Sequence, residues 1–320
     1  MTADRSTPQR LLGIDGGKTK TLVELSVKGR TAARIRGPGL EMITAPGGPE
    51  AVHLALAASL APLGNLGQLD TVCIGMNAVH APSPEAEHVA RILRGLVVAD
   101  RIVVTSDMVT TYCGALGLVP GAVVAAGTGT IAMGLSSAGE VSRVDGWGYL
   151  LGDDGSGYAI GSHGLRSALR AVDGRGGSQV LASYAAKRFG NPTQMSRKIH
   201  GAQVPARVIA DFSRAVAAAA IEGDSDAIAI WAAAGRDLAR TVVSAAAVLQ
   251  GPTPTAMSWA GGLFSVGALL QEPFQEEIHR LAPGAAPRPP AADAVGGALL
   301  LAGQPRPALT SVTLWDQGAS

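Results

Sequence analysis

The sequence has almost no excess charge of either sign, with 26 lysines and arginines against 25 aspartates and glutamates. Nucleic-acid-binding surfaces and polybasic membrane anchors need an excess of positive charge, so we expect neither nucleic acid nor a membrane as a partner. No apolar run reaches the ~18–20 residues that span a bilayer. Residues 1–9 are polar and lack the apolar segment of a secretory signal, which makes a cytoplasmic location the expectation.

Cysteine and metal-binding patterns are equally scarce. The two cysteines, Cys73 and Cys113, have apolar neighbours, and buried, reduced thiols are the usual state of such residues in a cytoplasmic protein. None of the six histidines stands at metal-ligand spacing from another histidine, a cysteine or a carboxylate pair. We therefore expect no zinc ion held by protein side chains.

Glycine and apolar residues are abundant instead. The chain has 320 residues, of which 42 are glycine and 47% are hydrophobic, and this length suits two domains. In the first half, apolar runs predict strands that alternate with helices, which is typical of a partly parallel sheet with helices on its faces. The predicted strands are 11–15, 21–27, 32–36, 71–76 and 101–105, and the predicted helices are 49–63 and 84–96.

The second half opens in the same way as the first. Each half starts with an apolar strand, a glycine-rich turn and another strand, which is a weak repeat of architecture. A long helix is predicted over 226–250, because apolar residues recur there at helical spacing and indicate core packing or a dimer face. Its stripe is Ile228, Trp231, Leu238, Val242, Ala245 and Leu249. The other predictions are strands at 122–126, 131–135 and 256–259, a connector at 283–290, helices to about 302, and a tail over 303–320.

The turn after the first strand, Asp15-Gly16-Gly17-Lys18-Thr19-Lys20-Thr21, is the most informative segment. Glycines let an anion approach the backbone N–H groups because they have no Cβ. The hydroxyls of Thr19 and Thr21 add donors at the same place, and Lys20 adds a positive charge. Asp15 would repel a phosphate, so it suits a hydrated divalent metal that bridges to phosphate oxygens. The same residue types also form ordinary hairpin turns.

A second turn of this kind, Gly127-Thr128-Gly129-Thr130, follows the strand 122–126. One such turn in each half favours two anion-binding loops that hold a polyphosphate, although a plain hairpin turn is the alternative. Between them, Ser106-Asp107 follows the strand 101–105. Asp107 is a candidate general base, because open α/β sheets place active sites at the carboxyl ends of parallel strands. Either residue also suits a helix N-cap, so both roles stay open.

The segment 145–158 is too rich in glycine, aromatic residues and carboxylates for a regular helix or strand. Aromatic faces and carboxylate acceptors are what a sugar needs, while a rigid structural turn would account for many of the glycines. Further along, Trp259-Ala260-Gly261-Gly262-Leu263-Phe264-Ser265 predicts a strand, a glycine pair and a helix. The glycines would let an adenine lie against the backbone, and a tight strand-to-helix turn is the alternative.

Together these motifs resemble those of the superfamily of sugar kinases, heat-shock chaperones and actin, and within it the N-acetylglucosamine kinase branch of the BadF/BadG/BcrA/BcrD-type ATPases. The resemblance spans about residues 11–302 and is most specific over 146–158. It implies an α/β fold with two RNase H-like (actin-like ATPase) domains and an interdomain nucleotide and sugar cleft. The implied domains are 10–118, to which a C-terminal helix near 291–302 is added, and 119–290. A homodimer is also expected.

The resemblance implies a kinase that uses ATP and Mg²⁺ to phosphorylate a hydroxyl, most simply the 6-hydroxyl, of N-acetylglucosamine, glucosamine or a related amino sugar. Asp107 would be the catalytic base, and Asp15 would hold the Mg²⁺ through water. The residues implied for ATP and its phosphates are Asp15, Gly16, Gly17, Thr19, Lys20, Gly127, Thr128, Gly129, Gly261 and Gly262. Those implied for the sugar are Asp107, Thr128, Gly146, Trp147 and Asp153.

Three departures from the family pattern matter. The segment 37–42 contains no asparagine, which the family usually offers to the sugar there; Ile131 stands where a polar residue is common, and Lys18 where glycine is frequent. A BadF-type ATPase, or a sugar or nucleotide sensor without kinase turnover, therefore stays open as an alternative. The related activators of 2-hydroxyacyl-CoA dehydratases use cysteines that flank the second phosphate motif. Cys73 and Cys113 both precede Gly127 and do not match that arrangement.

Overall fold

A computed structural model of the protein describes residues 9–249, 255–305 and 307–317. The chain forms two compact units. The first contains the chain up to Val119, the segment Ser137–Val141 and the chain from Pro289, and the second contains Pro120–Ser136 and Ser142–Arg288. Of the segment 1–9, interpreted as free of a secretory signal, residues 1–8 lie outside the described residues. The predicted long helix over 226–250 ends at Ala247 in the structure, so its predicted end at Gln250, itself outside the described residues, is too late.

The first unit is built on a six-stranded sheet. Its strands are β1 (Arg10–Gly16), β2 (Lys20–Val27), β3 (Arg30–Pro38), β4 (Leu69–Met76), β5 (Ala99–Ser106) and β11 (Thr313–Asp316), in the order β11-β5-β4-β1-β2-β3. β1, β2 and β3 form an antiparallel meander, whereas β4 and β5 run parallel to β1. Buried apolar side chains such as Leu12, Ile74 and Val104 fill the space beside the central strands, as their uninterrupted apolar runs predict.

The described residues of this unit form the α-helices α1 (Gly48–Leu60, extended by a 3₁₀ turn over Ala61–Leu63), α2 (Pro84–Leu96), α3 (Asp107–Leu116) and α11 (Ala294–Ala302). α11 packs closely on α3 and β1. A Cβ at Gly297 would come within 2 Å of the Thr110 carbonyl oxygen, at 1.9 Å, so this approach of the two helices requires glycine. The C-terminal helix near 291–302 thus packs with the first unit.

The second unit repeats the strand order of the first. Its strands are β6 (Gly121–Ala126), β7 (Thr130–Leu135), β8 (Val141–Asp145), β9 (Ala256–Ala260) and β10 (Ala286–Pro287), in the order β10-β9-β6-β7-β8. β7 is antiparallel to β6, while β9 is parallel to β6 and to β10. This is the order β5-β4-β1-β2-β3 of the first unit, so the predicted repeat of architecture is confirmed, and each sheet has the RNase H-like arrangement.

The described part of the second unit also contains helices. They are α4 (Gly157–Val172), α5 (Gln179–Phe189), α6 (Pro192–His200), α7 (Pro205–Ala210), α8 (Ser213–Ile221), α9 (Ser225–Ala247), a 3₁₀ turn (Gly262–Val266) and α10 (Ala268–Leu281). The stripe predicted on α9 is buried at Trp231, Leu238, Val242 and Ala245, which confirms core packing for these four residues. Ile228 is 42% exposed, so its assignment to the core is wrong; it lies on the first turn of α9.

Three short strands were not predicted from the sequence. β8 and β10 are edge strands, and β10 has two residues inside the predicted connector 283–290. β11 lies in the predicted tail and pairs antiparallel with β5, with Thr313 opposite Thr105. Strands of two to five residues at a sheet edge are too short to show an alternation of apolar and polar residues. Among the described residues, no helix is long and apolar enough to cross a membrane.

Candidate active site

The first glycine turn connects β1 to β2 and carries Asp15 at the end of β1. Asp15 lies opposite Gly75 of β4 and Leu22 of β2. Lys18, Thr19 and Lys20 are exposed at the turn, as a set of anion-binding donors must be. Thr21 differs, because it is buried and its hydroxyl donates to the Pro38 carbonyl oxygen at 2.6 Å. The expectation that the Thr21 hydroxyl is a donor at the turn is therefore wrong.

Asp107 is the first residue of α3, and Ser106 is the residue that caps this helix. The Ser106 side chain accepts the backbone N–H of Val109 at 3.3 Å, so the N-cap role belongs to Ser106 and not to Asp107. Burial raises the pKa of the Asp107 carboxyl, although the nearby backbone N–H groups and His80 act in the opposite direction. A half-buried carboxyl with a raised pKa suits a group that accepts a proton.

Asp15 lies in a strongly acidic environment within the same unit. Burial raises the pKa of Asp15 to about 6, with help from the carboxylates of Asp107 and Asp293 and against the effect of Lys20. A divalent cation beside these carboxyls would relieve their mutual repulsion, and carboxylate oxygens are the ligands that Mg²⁺ prefers. The described part of the chain holds no group of three or more His, Cys, Asp or Glu that could bind a metal ion. Asp15 would therefore hold Mg²⁺ through the water ligands of the ion.

The second glycine turn connects β6 to β7 and is held by the start of α4. The backbone N–H groups of Gly157 and Tyr158 donate to the carbonyl oxygens of Gly127 and Thr128 at 2.8 and 3.2 Å. Asp153 lies against the same turn: its Oδ1 accepts the backbone N–H of Thr130 at 3.2 Å. A Cβ at residue 129 would be 2.7 Å from the Asp153 carboxylate, so the turn needs glycine there.

A cavity of about 540 Å³ in the second unit joins this turn to the predicted adenosine motif. Its volume lies within the range of small-molecule binding sites. A Cβ at Gly127 or Gly262 would meet no protein atom within 4 Å, so the missing side chains leave backbone open beside the cavity. The lining residues are Gly127, Thr128, Gly157, Ala210, Asp211, Ser213, Arg214, Ala217, Trp231, Gly262, Leu263, Ser265 and Val266.

Gly261 has a different reason to be glycine. Its φ is +99°, and a Cβ there would lie 2.1 Å from the Ala126 carbonyl oxygen. The backbone after β9 therefore turns directly against the end of β6, which brings both motifs to the carboxyl ends of parallel strands. Of the two interpretations of this glycine pair, the tight turn applies to Gly261. Gly262 is the glycine that faces the cavity.

The loop 145–156 presents large side chains to solvent on a tightly held backbone. The Asp145 carboxylate accepts three backbone N–H groups, from Gly146 at 2.7 Å, Asp153 at 2.9 Å and Asp154 at 3.1 Å. The two ends of the loop are thus tied to one side chain. Trp147 is 68% exposed, with the Arg143 guanidinium 5.3 Å from its ring centre. Ile131 packs against this loop, because a Cβ at Gly146 would be 3.0 Å from its Cδ1.

Asp145→Ala is expected to lower the free energy of unfolding by about 2 kcal/mol, since three N–H groups lose a charged acceptor and alanine must adopt the φ of +62° at this position. Urea unfolding measures the loss. Asp145→Asn is the matched control, because its Oδ1 still accepts from Gly146 and Asp153 and asparagine tolerates a positive φ. Equal stability of the alanine variant and the wild type would show that the carboxylate does not hold the loop.

The predicted site residues fall into two groups, one in each unit. In the first unit, the carboxyl ends of β1 and β5 carry Asp15, Gly16, Gly17 and Asp107, and Thr19 and Lys20 follow in the turn. In the second unit, Gly127, Thr128 and Gly262 line the cavity. Gly129 lies in the turn between β6 and β7, Gly261 directly follows β9, and Gly146, Trp147 and Asp153 belong to the loop after β8. Sequence reasoning missed Arg214, which lines the cavity from α8, because one arginine on a helix gives no signal.

Comparison with known proteins identifies the family. Residues 12–302 match the model of the BadF/BadG/BcrA/BcrD ATPase family. An N-acetylmuramic acid/N-acetylglucosamine kinase of Clostridium acetobutylicum is 26% identical over 276 residues, which are 84% of this chain and 90% of that protein. An N-acetyl-D-glucosamine kinase of Dictyostelium discoideum is 31% identical over 174 residues, which are 51% of this chain and 54% of that protein.

A solved structure of a Chromobacterium violaceum protein, assigned as an N-acetylglucosamine kinase, has a TM-score of 0.71 and 26% identity, and the match covers 92% of this chain and 98% of that one. The predicted resemblance and the two-domain α/β fold class are confirmed. The chain belongs to the BadF/BadG/BcrA/BcrD ATPase family.

Proposed function

We propose that this protein is an ATP-dependent kinase that phosphorylates a hydroxyl, the 6-hydroxyl, of N-acetylglucosamine, glucosamine or a related amino sugar. The observation that carries the proposal is the cavity of about 540 Å³ between the second glycine turn and Gly262, because it offers backbone groups to both ends of a nucleotide. The kinase names of the relatives from Clostridium acetobutylicum and Dictyostelium discoideum support the reaction class and the amino sugar.

Asp107 supplies the base chemistry in this proposal. Its carboxylate accepts the proton of the sugar hydroxyl while a bond forms between the hydroxyl oxygen and the γ-phosphorus of ATP. The bond from the γ-phosphorus to the bridging oxygen breaks, and ADP leaves with the electron pair. The products are ADP, the sugar phosphate and one proton, which Asp107 returns to water.

Charge neutralisation and positioning provide most of the remaining catalysis, because phosphoryl transfer needs little covalent help. Thr128 and Gly129 hold phosphates with backbone N–H groups, while the Gly127 N–H donates to the Gly129 carbonyl oxygen at 2.9 Å and shapes the turn. Thr19 and Lys20 contribute a hydroxyl and a positive charge. When bound, Mg²⁺ offsets the negative charge of the phosphates. Asp15 would hold that ion through its water ligands.

Asp15→Asn is expected to abolish turnover and yet stabilise the free protein at pH 7 by up to about 3 kcal/mol. The native state binds the Asp15 proton more tightly than the unfolded chain does, because the pKa is raised from 3.8 to about 6. The ionised carboxylate therefore costs stability above pH 6, and this cost disappears as the pH falls towards 4. Urea unfolding without Mg²⁺ at pH 7 and pH 5 measures it: the advantage of the asparagine variant should shrink at pH 5. A variant less stable than the wild type at pH 7 would contradict this account.

The direct test of the proposed function is ADP release from MgATP in the presence of single sugars. The set is N-acetylglucosamine, glucosamine, N-acetylmuramic acid, N-acetylmannosamine, glucose and no sugar. Release that one amino sugar stimulates above the sugar-free rate supports the kinase and identifies its acceptor. ADP release that does not depend on sugar would favour an ATPase. If none of the sugars stimulates ADP release, the proposal is overturned.

A sugar or nucleotide sensor without turnover is the second candidate function. It is favoured by the altered sugar side, where Ile131 packs against Gly146 and the segment 37–42 offers no asparagine. Calorimetric binding of a sugar or of a non-hydrolysable ATP analogue, without ADP release under the same conditions, would support the sensor over the kinase.

A further inference from the structure

Asn77 directly follows β4, which lies between the strands that lead to Asp15 and Asp107. β4 lies between β1 and β5 in the sheet, and its last residue, Met76, is in register with Gly16 of β1 and with Ser106 of β5. The residue after each of these is therefore at the same edge of the sheet. These residues are Gly17, Asn77 and Asp107.

Hydrogen bonds fix the orientation of the Asn77 amide. Its Nδ2 donates to the carbonyl oxygens of Gly16 and Leu40, at 3.2 and 3.4 Å. A flipped amide would place its own oxygen against these two carbonyl oxygens, which is unfavourable. The Asn77 Oδ1 is consequently the atom that faces away from both. In the part of the chain that the structure describes, no group donates to it.

The backbone supports an outward-facing role for this residue. Asn77 is half-buried, and the next residue, Ala78, has a φ of +58°, which is uncommon for a residue other than glycine, asparagine or aspartate. The chain thus turns sharply directly after Asn77. Strained backbone of this kind concentrates at functional sites. The strand register and the orientation of the amide are the stronger observations at Asn77.

We propose that Asn77 is a substrate-binding residue whose Oδ1 accepts a hydrogen bond from a hydroxyl of the sugar. The inference rests on the proposed kinase function and identifies one contact between the protein and its sugar substrate. An uncharged acceptor suits this position, because another carboxylate would add to the repulsion that already raises the pKa of Asp15. A fully ionised phosphate has no hydrogen to donate, so a hydroxyl is a partner that the amide oxygen can recognise.

The test is calorimetric binding of N-acetylglucosamine and of its 3-deoxy and 4-deoxy analogues, because binding does not depend on turnover. Asn77→Ala should bind N-acetylglucosamine about five- to tenfold more weakly, as for one lost neutral hydrogen bond. For one deoxy analogue, the variant and the wild type should bind equally, since the hydroxyl that Asn77 would hold is absent.

The control is Asn65→Ala, which removes an asparagine that accepts from Gly67 in the loop after α1; it should bind like the wild type. Equal loss of affinity for all three sugars in Asn77→Ala would show that the residue only supports Gly16 and Leu40. Absence of binding to the wild type would also overturn the inference. If the wild type binds the sugar as predicted but shows no turnover, the role of Asn77 stands and the proposed kinase function fails. If the protein turns over but Asn77→Ala binds the sugar like the wild type, the kinase function stands and the role of Asn77 fails.

Discussion

Asp107→Asn is expected to lower sugar-dependent ADP release by about 10²–10⁴-fold, the usual loss when a general base is removed. Asparagine has nearly the same shape, so the start of α3 should be preserved, and Ser106 still caps the helix. The affinity for nucleotide should change little because Asp107 is assigned to the sugar hydroxyl. Steady-state rates at saturating MgATP, together with calorimetric nucleotide binding, separate the two effects.

The matched control for Asp107→Asn is Ser106→Ala. This change removes the N-cap, which is worth about 1 kcal/mol of stability, while it leaves the candidate base in place. It should lower the free energy of unfolding without a loss of turnover comparable to that of Asp107→Asn. Near-normal turnover in Asp107→Asn would show that Asp107 is not the base.

Gly127→Val is expected to weaken nucleotide binding at least about 100-fold without unfolding the protein. A Cβ at residue 127 meets no protein atom within 4 Å, so the fold has room for the side chain. The same space belongs to the cavity that we assign to the nucleotide, and a branched side chain there would keep a phosphate from the backbone N–H groups of the turn. Titration with a non-hydrolysable ATP analogue and Mg²⁺ measures the affinity.

Gly284→Val provides the matched control for Gly127→Val. Gly284 also has open space around its Cβ position and lies in the second unit, but it does not line the cavity. Its valine variant should bind nucleotide like the wild type. Wild-type affinity in Gly127→Val would move the nucleotide away from this cavity, whereas equal losses in both variants would point to a general effect of valine on the unit.

The central strands and their turns could be predicted because the signals are local. An uninterrupted apolar run followed by Asp15-Gly16-Gly17 predicts a buried strand and an open turn, and the structure has β1 and its turn there. The same holds for β6 and Gly127. The sequence does not decide which residue of the Ser106-Asp107 pair caps the helix, because either residue suits an N-cap. The structure shows that Ser106 caps α3.

Features that depend on pairing between distant segments could not be predicted. Asn77 follows an apolar run without any motif, and its position beside Asp107 appears only when β4 lies in register with β5. Asp145 belongs to a segment that we interpreted as a sugar-binding loop, but its contacts to the backbone at both loop ends require the folded geometry. β11 is a four-residue strand that is fixed by its partner β5 and not by a pattern of its own.

Phosphorus NMR of the reaction products tests the central claim most directly. The wild-type protein, MgATP and the amino sugar that stimulates ADP release would be incubated to completion, and a phosphorus–proton correlation spectrum recorded. The proposed reaction gives a phosphomonoester coupled to the two protons on carbon 6 of the sugar, in an amount equal to the ADP formed. ADP with only inorganic phosphate, or a phosphorus atom coupled to a different sugar position, would contradict it.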